Sequence, residues 1–147
     1  MCGRTRSGMK ILKPGDIMRV NQGTRGTSSS VWGFRNGEQY NARVERINEI
    51  YRNFKTGIVT LDSFFERGVE FTHKDGKKLL AGVLLNSNNE FAVLTMDSWP
   101  LIREVHHRMP FLLNEEHAEG FLERHWDIGS ILPSGLIIRK DQKLIAA

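Results

Sequence analysis

Cys2 is the only cysteine in a chain of 147 residues, and it stands directly behind the first methionine in Met1-Cys2-Gly3-Arg4. Removal of Met1, by an aminopeptidase or by self-cleavage, would leave one residue bearing both a free α-amine and a thiol. Their reference pKa values are about 7.7–8.0 and about 8.5, so near neutral pH each has a minor nucleophilic population. An aldehyde meeting this pair can condense with the amine to an imine. The sulfur can then close on the imine carbon to give a thiazolidine. An internal cysteine cannot do this, because it has no free amine. Read alone, a cysteine at position 2 is equally an accident of a cytosolic protein.

Other residues could serve such chemistry, and each also has a plain structural reading. Glu66 is a carboxyl suited to proton transfer, although a lone glutamate at a strand end is usually a surface acid. His106 and His107 are either proton carriers or a satisfied pair at a turn. Adjacent histidines point in different directions on a regular element, which argues against a shared metal ion. Asn41 reads as the N-cap of a following helix, as a positioning residue, or as both. Trp32 is either core or a platform for a nucleic-acid base. Arg43 and Arg46 could be one solvated helix face.

The elements that must position these groups are legible in outline. Gly23 to Ser30 (GTRGTSSS) lacks apolar periodicity and reads as a mobile loop. Asn41 to Phe54 follows a helical period, with Val44, Ile47, Ile50, Tyr51 and Phe54 on one stripe. Strands are expected at Ile58 to Leu61, at Phe64-Phe65, and at Val69 to His73. The last leads through Asp75-Gly76, a hairpin signal, into Lys77 to Leu85. Asn86 to Asn89 is a turn before a strand from Glu90 to Thr95. Asn114 to His125 reads as a helix with Asn114 as N-cap and Glu115 and Glu116 in its first turn. Leu136 to Ile138 is a short closing strand. The pattern is a single α+β domain over residues 1–147, built on an antiparallel sheet.

Composition narrows the function classes. No run approaches the ~20 apolar residues of a membrane span, and no apolar segment follows the basic N-terminus as in a secretory signal. One cysteine excludes an internal disulfide and a cysteine-cluster metal site. The expected location is the cytoplasm. Net charge is +4 with a pI near 9.5. The bases concentrate early, from Arg4, Arg6, Lys10 and Lys13 through Arg52 and Lys55, which suits a polyanionic partner.

Taken in order, several blocks carry a resemblance. They are Met1-Cys2-Gly3-Arg4, Trp32-Gly33, Asn41-Ala42-Arg43-Val44-Glu45 and Ser63-Phe64-Phe65-Glu66. Ala81-Gly82-Val83, Phe91-Ala92-Val93-Leu94-Thr95 and His106-His107-Arg108-Met109-Pro110 follow. Together they resemble the SOS-response-associated peptidase (SRAP) family, which covalently captures abasic sites in single-stranded DNA. The likeness spans residues 1 to about 113. It implies a compact α+β domain with a curled antiparallel sheet core, flanking helices, and the N-terminus at the floor of a DNA groove. It implies that Cys2 supplies amine and thiol to the open-chain aldehyde of the abasic sugar, with no cofactor. Glu66 would help open the sugar ring and shuttle protons, His106 would be a second proton carrier, and Asn41 would hold the Cys2 α-amine. Arg4, Arg43 and Arg108 would bind phosphates, Trp32 would pack on a base, and Thr95 would lie near the DNA backbone.

This chain departs from the family pattern at two informative places. Arg67 stands where an aromatic is usual, which would turn a stacking contact into a phosphate contact. His107 stands where an acid is usual, placing a second titratable ring beside His106. The implied protein is a monomeric DNA-damage factor, associated with the nucleoid when on DNA, with autocatalytic removal of Met1 and a possible lyase step. Two other classes share some of its features. Met-Cys-Gly also opens class II glutamine amidotransferases, in which the cysteine thiol attacks an amide. A non-catalytic single-strand binding module would use the arginines and Trp32 and leave Cys2 idle.

Overall fold

The computed structural model describes residues 2–124 and 136–139. They form a small, mostly β domain in which a closed barrel carries a second, antiparallel sheet. Strands β1 (Arg4–Ser7), β2 (Lys10–Leu12), β3 (Ile17–Asn21) and β4 (Thr27–Trp32) come first, followed by β5 (Asn41–Arg43) and β6 (Lys55–Leu61). Next are β7 (Ser63–Glu66), β8 (Val69–His73), β9 (Leu79–Leu85) and β10 (Glu90–Asp97). The chain continues through β11 (Arg108–Pro110), β12 (Leu112–Leu113) and β13 (Leu136–Ile138). A one-turn helix at Pro100–Arg103 and an eight-residue helix at Glu115–Leu122 are the principal helical pieces.

The barrel closes in the order β10-β4-β3-β6-β9 and back to β10. β10 is the axis of this arrangement. One edge pairs in parallel with β4 and then β5, while the other pairs antiparallel with β9 and then β11. Its side chains from Phe91 to Met96 are all buried, as expected of a strand covered on both faces. The second sheet runs β13-β8-β7-β1-β2. Its buried carboxylate, Glu70, is held by Arg6 Nε at 2.7 Å, by the Ser63 hydroxyl and by Arg139 Nη1 at 3.2 Å. Burial works against the ionised form, but the bonds from Arg6 and Ser63 prevail and hold its pKa below the usual value.

Three expectations are corrected. Gly23 to Ser30 is not a mobile loop: a short 3-10 turn leads directly into β4, a barrel strand. Its alternation is real but is carried by serines. Ser28 and Ser30 bond to each other at 2.9 Å, and Gln22 Nε2 donates to Ser28 at 3.1 Å, so these polar groups are satisfied inside. Asn41 to Phe54 is not one helix. Asn41–Arg43 extends to pair with β10, and the rest is a 3-10 turn and loop. Val44 and Ile47 are buried and Tyr51 and Phe54 pack against the core, but Ile50 of the expected stripe is exposed. Arg124 caps the freed carbonyls of Ile47, Tyr51 and Phe54. Asp75-Gly76 turns the chain but makes no hairpin: β8 pairs with β7 and β13, and β9 pairs with β6, β10 and β12. The Asn114 helix ends at Leu122, and the expected extension to His125 reaches a residue outside those described.

The barrel seam between β3 and β6 is narrow, joined at the Asn21–Ile58 pair. Gly57 makes the approach feasible, since a Cβ there would lie 2.4 Å from Val20 Cγ1 and 2.8 Å from Leu85 Cδ1. Gly57→Ala is therefore expected to cost about 1–3 kcal/mol of stability by overpacking. Urea unfolding measures this, and an unchanged midpoint would mean the seam is looser than described.

Candidate functional site

The start of the chain lies where the barrel and the second sheet meet. Arg4 pairs with Phe65 and Thr5 with Phe64, and that register, continued, sets Gly3 opposite Glu66 and Cys2 opposite Arg67. From the barrel side, Asn41 at the head of β5 donates through Nδ2 to the Cys2 carbonyl at 3.0 Å and to the Tyr40 carbonyl at 3.0 Å. The Tyr40 carbonyl also accepts the Trp32 indole N–H at 3.0 Å. A chain of hydrogen bonds thus runs from the core through Trp32, Tyr40 and Asn41 to Cys2. Asn41 grips the carbonyl of Cys2. Its Oδ1 is buried and has no partner among the described residues.

Cys2 is fully buried, with Sγ 3.8 Å from the Arg4 carbonyl. Burial pushes the thiol well above its ordinary pKa, and the Glu66 carboxylate pushes it further. Glu66 is itself buried, and burial raises its pKa from 4.5 to about 7, against the opposing positive charge at the chain's N-terminus. A carboxyl that titrates near neutrality can both give and take a proton there.

The hairpin between β7 and β8 fixes Glu66. Its two linking residues, Arg67 and Gly68, have φ of 50° and 81°, as a type I′ turn requires. Arginine is an uncommon occupant of a left-handed position, so the turn holds an exposed guanidinium beside the site at some conformational cost.

His106 completes the cluster. Its Nδ1 meets both the Arg108 backbone N–H at 3.1 Å and the Arg108 carbonyl at 3.2 Å, accepting from the first when unprotonated and donating to the second when protonated. Burial lowers its pKa. The backbone contact to Arg108 opposes this, and the positive N-terminus, His107 and Arg67 reinforce it. Glu66 acts on the Cys2 thiol and its neighbour Arg67 acts on His106, so the β7–β8 turn links the three.

The expected DNA contacts divide into two groups. Arg4, Arg43 and Arg67 are exposed and available to phosphates. Trp32, Arg108 and Thr95 are not. Trp32 has no exposed surface and stacks on Phe91 with centroids 6.3 Å apart and planes 9° from parallel, so no face is open to a base. Arg108 is buried, and both of its terminal nitrogens are engaged. It forks onto Glu45 with two bonds of 2.8 Å, reaches Asp97 at 2.9 Å, and donates to the Thr95 carbonyl and hydroxyl at 2.8 and 3.2 Å. That pairing also occupies Thr95. Glu45 and Tyr40, which the sequence reading passed over, prove to position the site. Glu45 was visible in the Asn-Ala-Arg-Val-Glu block, while only the Tyr40 backbone matters here, which no side-chain signal could reveal.

No family model and no curated protein matches the chain. Solved structures do. A Bordetella bronchiseptica protein superposes with TM-score 0.66 at 20% identity, over 88% of this chain and 87% of its own. A Bacteroides thetaiotaomicron protein gives 0.68 at 18%, over 92% and 80%. A phage-related protein from Bordetella bronchiseptica gives 0.67 at 15%, over 95% and 93%. At these identities the likeness establishes the fold class alone: a small barrel with an attached antiparallel sheet.

The Glu66 shift has a consequence for stability. The unfolded carboxyl titrates near 4.5 and the folded one near 7, so between these values the folded state holds the extra proton. Stability should fall as pH rises through that window, by on the order of 3 kcal/mol. Urea midpoints at pH 5 and pH 8 should therefore separate more for the unmodified protein than for Glu66→Gln. Equal separations would mean that Glu66 titrates normally.

Proposed function

We propose that this protein captures abasic sites in single-stranded DNA by a covalent thiazolidine to Cys2 once Met1 has been removed, as its resemblance to the SRAP family implies. The observation that carries the reading is the placement of Glu66, a buried carboxyl titrating near 7, within electrostatic reach of Cys2. An abasic sugar is mostly a closed hemiacetal. Its aldehyde becomes available only when a proton is taken from the anomeric hydroxyl and another is given to the ring oxygen. A group poised at neutrality suits both transfers.

The following steps use the same residues. The α-amine, unprotonated, attacks C1′ and a proton from Glu66 or His106 lets water leave, giving the imine. The thiol then adds to the imine carbon, its sulfur forming the C–S bond while its proton passes to nitrogen. The product is protein plus DNA less one water. A thiol held neutral is no obstacle, because it loses its proton only as it attacks. The same neutrality counts against glutamine hydrolysis, which needs the sulfur as nucleophile toward a far less reactive amide. Asn41, by fixing the Cys2 carbonyl, keeps amine and thiol oriented toward one point. Arg4, Arg43 and Arg67 supply exposed cations for the strand on either side.

In this reading "peptidase" describes removal of Met1 and the reversal of the crosslink. The test is a denaturing gel after incubation with a single-stranded oligonucleotide carrying one abasic site. A slower band should form with protein lacking Met1, disappear with Cys2→Ala, and form about 100-fold more slowly with Glu66→Gln. Absence of the band from protein verified to lack Met1 would overturn the proposal, and persistence with Cys2→Ala would move the chemistry elsewhere.

A further inference from the structure

A single strand bound across this site needs somewhere to rest its bases, and the tryptophan that sequence suggested is sealed in the core. Arg67 fills the other place where an aromatic was expected. Among the described residues, the aromatic and imidazole rings are buried or half-buried, with one exception: His107 is exposed. It also lies stacked on His106, with ring centroids 4.5 Å apart and planes 30° from parallel.

We propose that the His107 ring is a nucleobase platform, on which an undamaged base next to the lesion stacks while the abasic sugar enters toward Cys2. This rests on the reading that the partner is single-stranded DNA. The geometry suits the task in three respects. His106 is pinned from below by the Arg108 backbone N–H at 3.1 Å, so the ring beneath His107 has a fixed position. Arg108 is in turn immobilised by Glu45, Asp97 and Thr95, so the segment carrying both rings is rigid at its base. Stacking on a preorganised surface wastes little ordering entropy. Finally, Arg67 lies close enough for its charge to act on His106, so a phosphate contact is available beside the ring. A flat platform with an arginine at its edge takes a base and its phosphate together and discriminates weakly between bases.

The experiment measures noncovalent affinity for an undamaged single-stranded oligonucleotide by fluorescence anisotropy, over a range of salt. The proteins compared are the unmodified chain, His107→Ala, His107→Trp and Arg67→Ala. His107→Ala should weaken binding by about tenfold with an unchanged salt slope and an unchanged melting temperature. His107→Trp should restore or exceed the original affinity, and its added indole emission should be quenched on binding. Arg67→Ala should lower the salt slope by about one phosphate contact. Undiminished affinity of His107→Ala, or an unquenched indole in His107→Trp, would overturn the platform, as would failure of the unmodified chain to bind the strand. The abasic-site gel separates the two proposals. A crosslink with no effect of His107→Ala removes the platform alone, and His107-dependent binding without any crosslink removes the covalent reading alone.

Discussion

The structure depends on one clamp: the Asn41 amide, which donates to the carbonyls of Cys2 and Tyr40 and ties the first residues of the chain to the barrel. Chain termini are commonly loose because few bonds hold them. Here β1 is stitched to β7 on one side, and Asn41 reaches across from β5 on the other. The Trp32 indole, by bonding the same Tyr40 carbonyl, relays the rigidity of the core to that point. Cys2 therefore has a defined position without lying in any regular strand.

Two kinds of charge surround this point, and burial separates them. Arg108 spends its guanidinium on Glu45, Asp97 and Thr95, joining the loop after β5 to the β10–β11 pair. A buried arginine with both terminal nitrogens so engaged organises structure rather than reaching out to a phosphate. Arg4, Arg43 and Arg67 remain outside and bring positive charge to the surface around the N-terminus. Glu66 is also buried, and that burial raises its pKa to about 7. Glu70, only four residues on, is equally buried but is met by Arg6, Arg139 and Ser63 and stays below its usual value. At Glu66 burial prevails, whereas at Glu70 the bonds from Arg6 and Ser63 outweigh it.

Much of the fold was legible because β6, β9 and β10 are β-prone apolar runs bounded by turn residues and β8 alternates in sequence. The ordered blocks also marked Cys2, Asn41, Glu66 and His106, which the structure brings to one region. What was not legible has physical causes. β4 hid because Ser28 and Ser30 satisfy each other inside the barrel, and polar side chains leave no hydrophobic period. Val44, Ile47, Tyr51 and Phe54 have helical spacing, yet tertiary packing and the Arg124 caps favour a looped path over the same buried positions. Trp32 and Arg108 belong to the blocks but act from within, a distinction set by three-dimensional burial that residue type does not reveal. The pairing of Glu45 with Arg108 spans sixty-three positions, beyond the reach of any local pattern.

The most direct test of the account is peptide mass spectrometry of the protein after reaction with abasic single-stranded DNA and nuclease digestion. The account predicts that Met1 is absent, that the modification resides on the N-terminal Cys2 peptide, and that its mass equals the trimmed sugar adduct less one water. Fragmentation should place both new bonds, C–N and C–S, on Cys2. An unmodified Cys2 peptide, or an adduct on a lysine elsewhere, would contradict it.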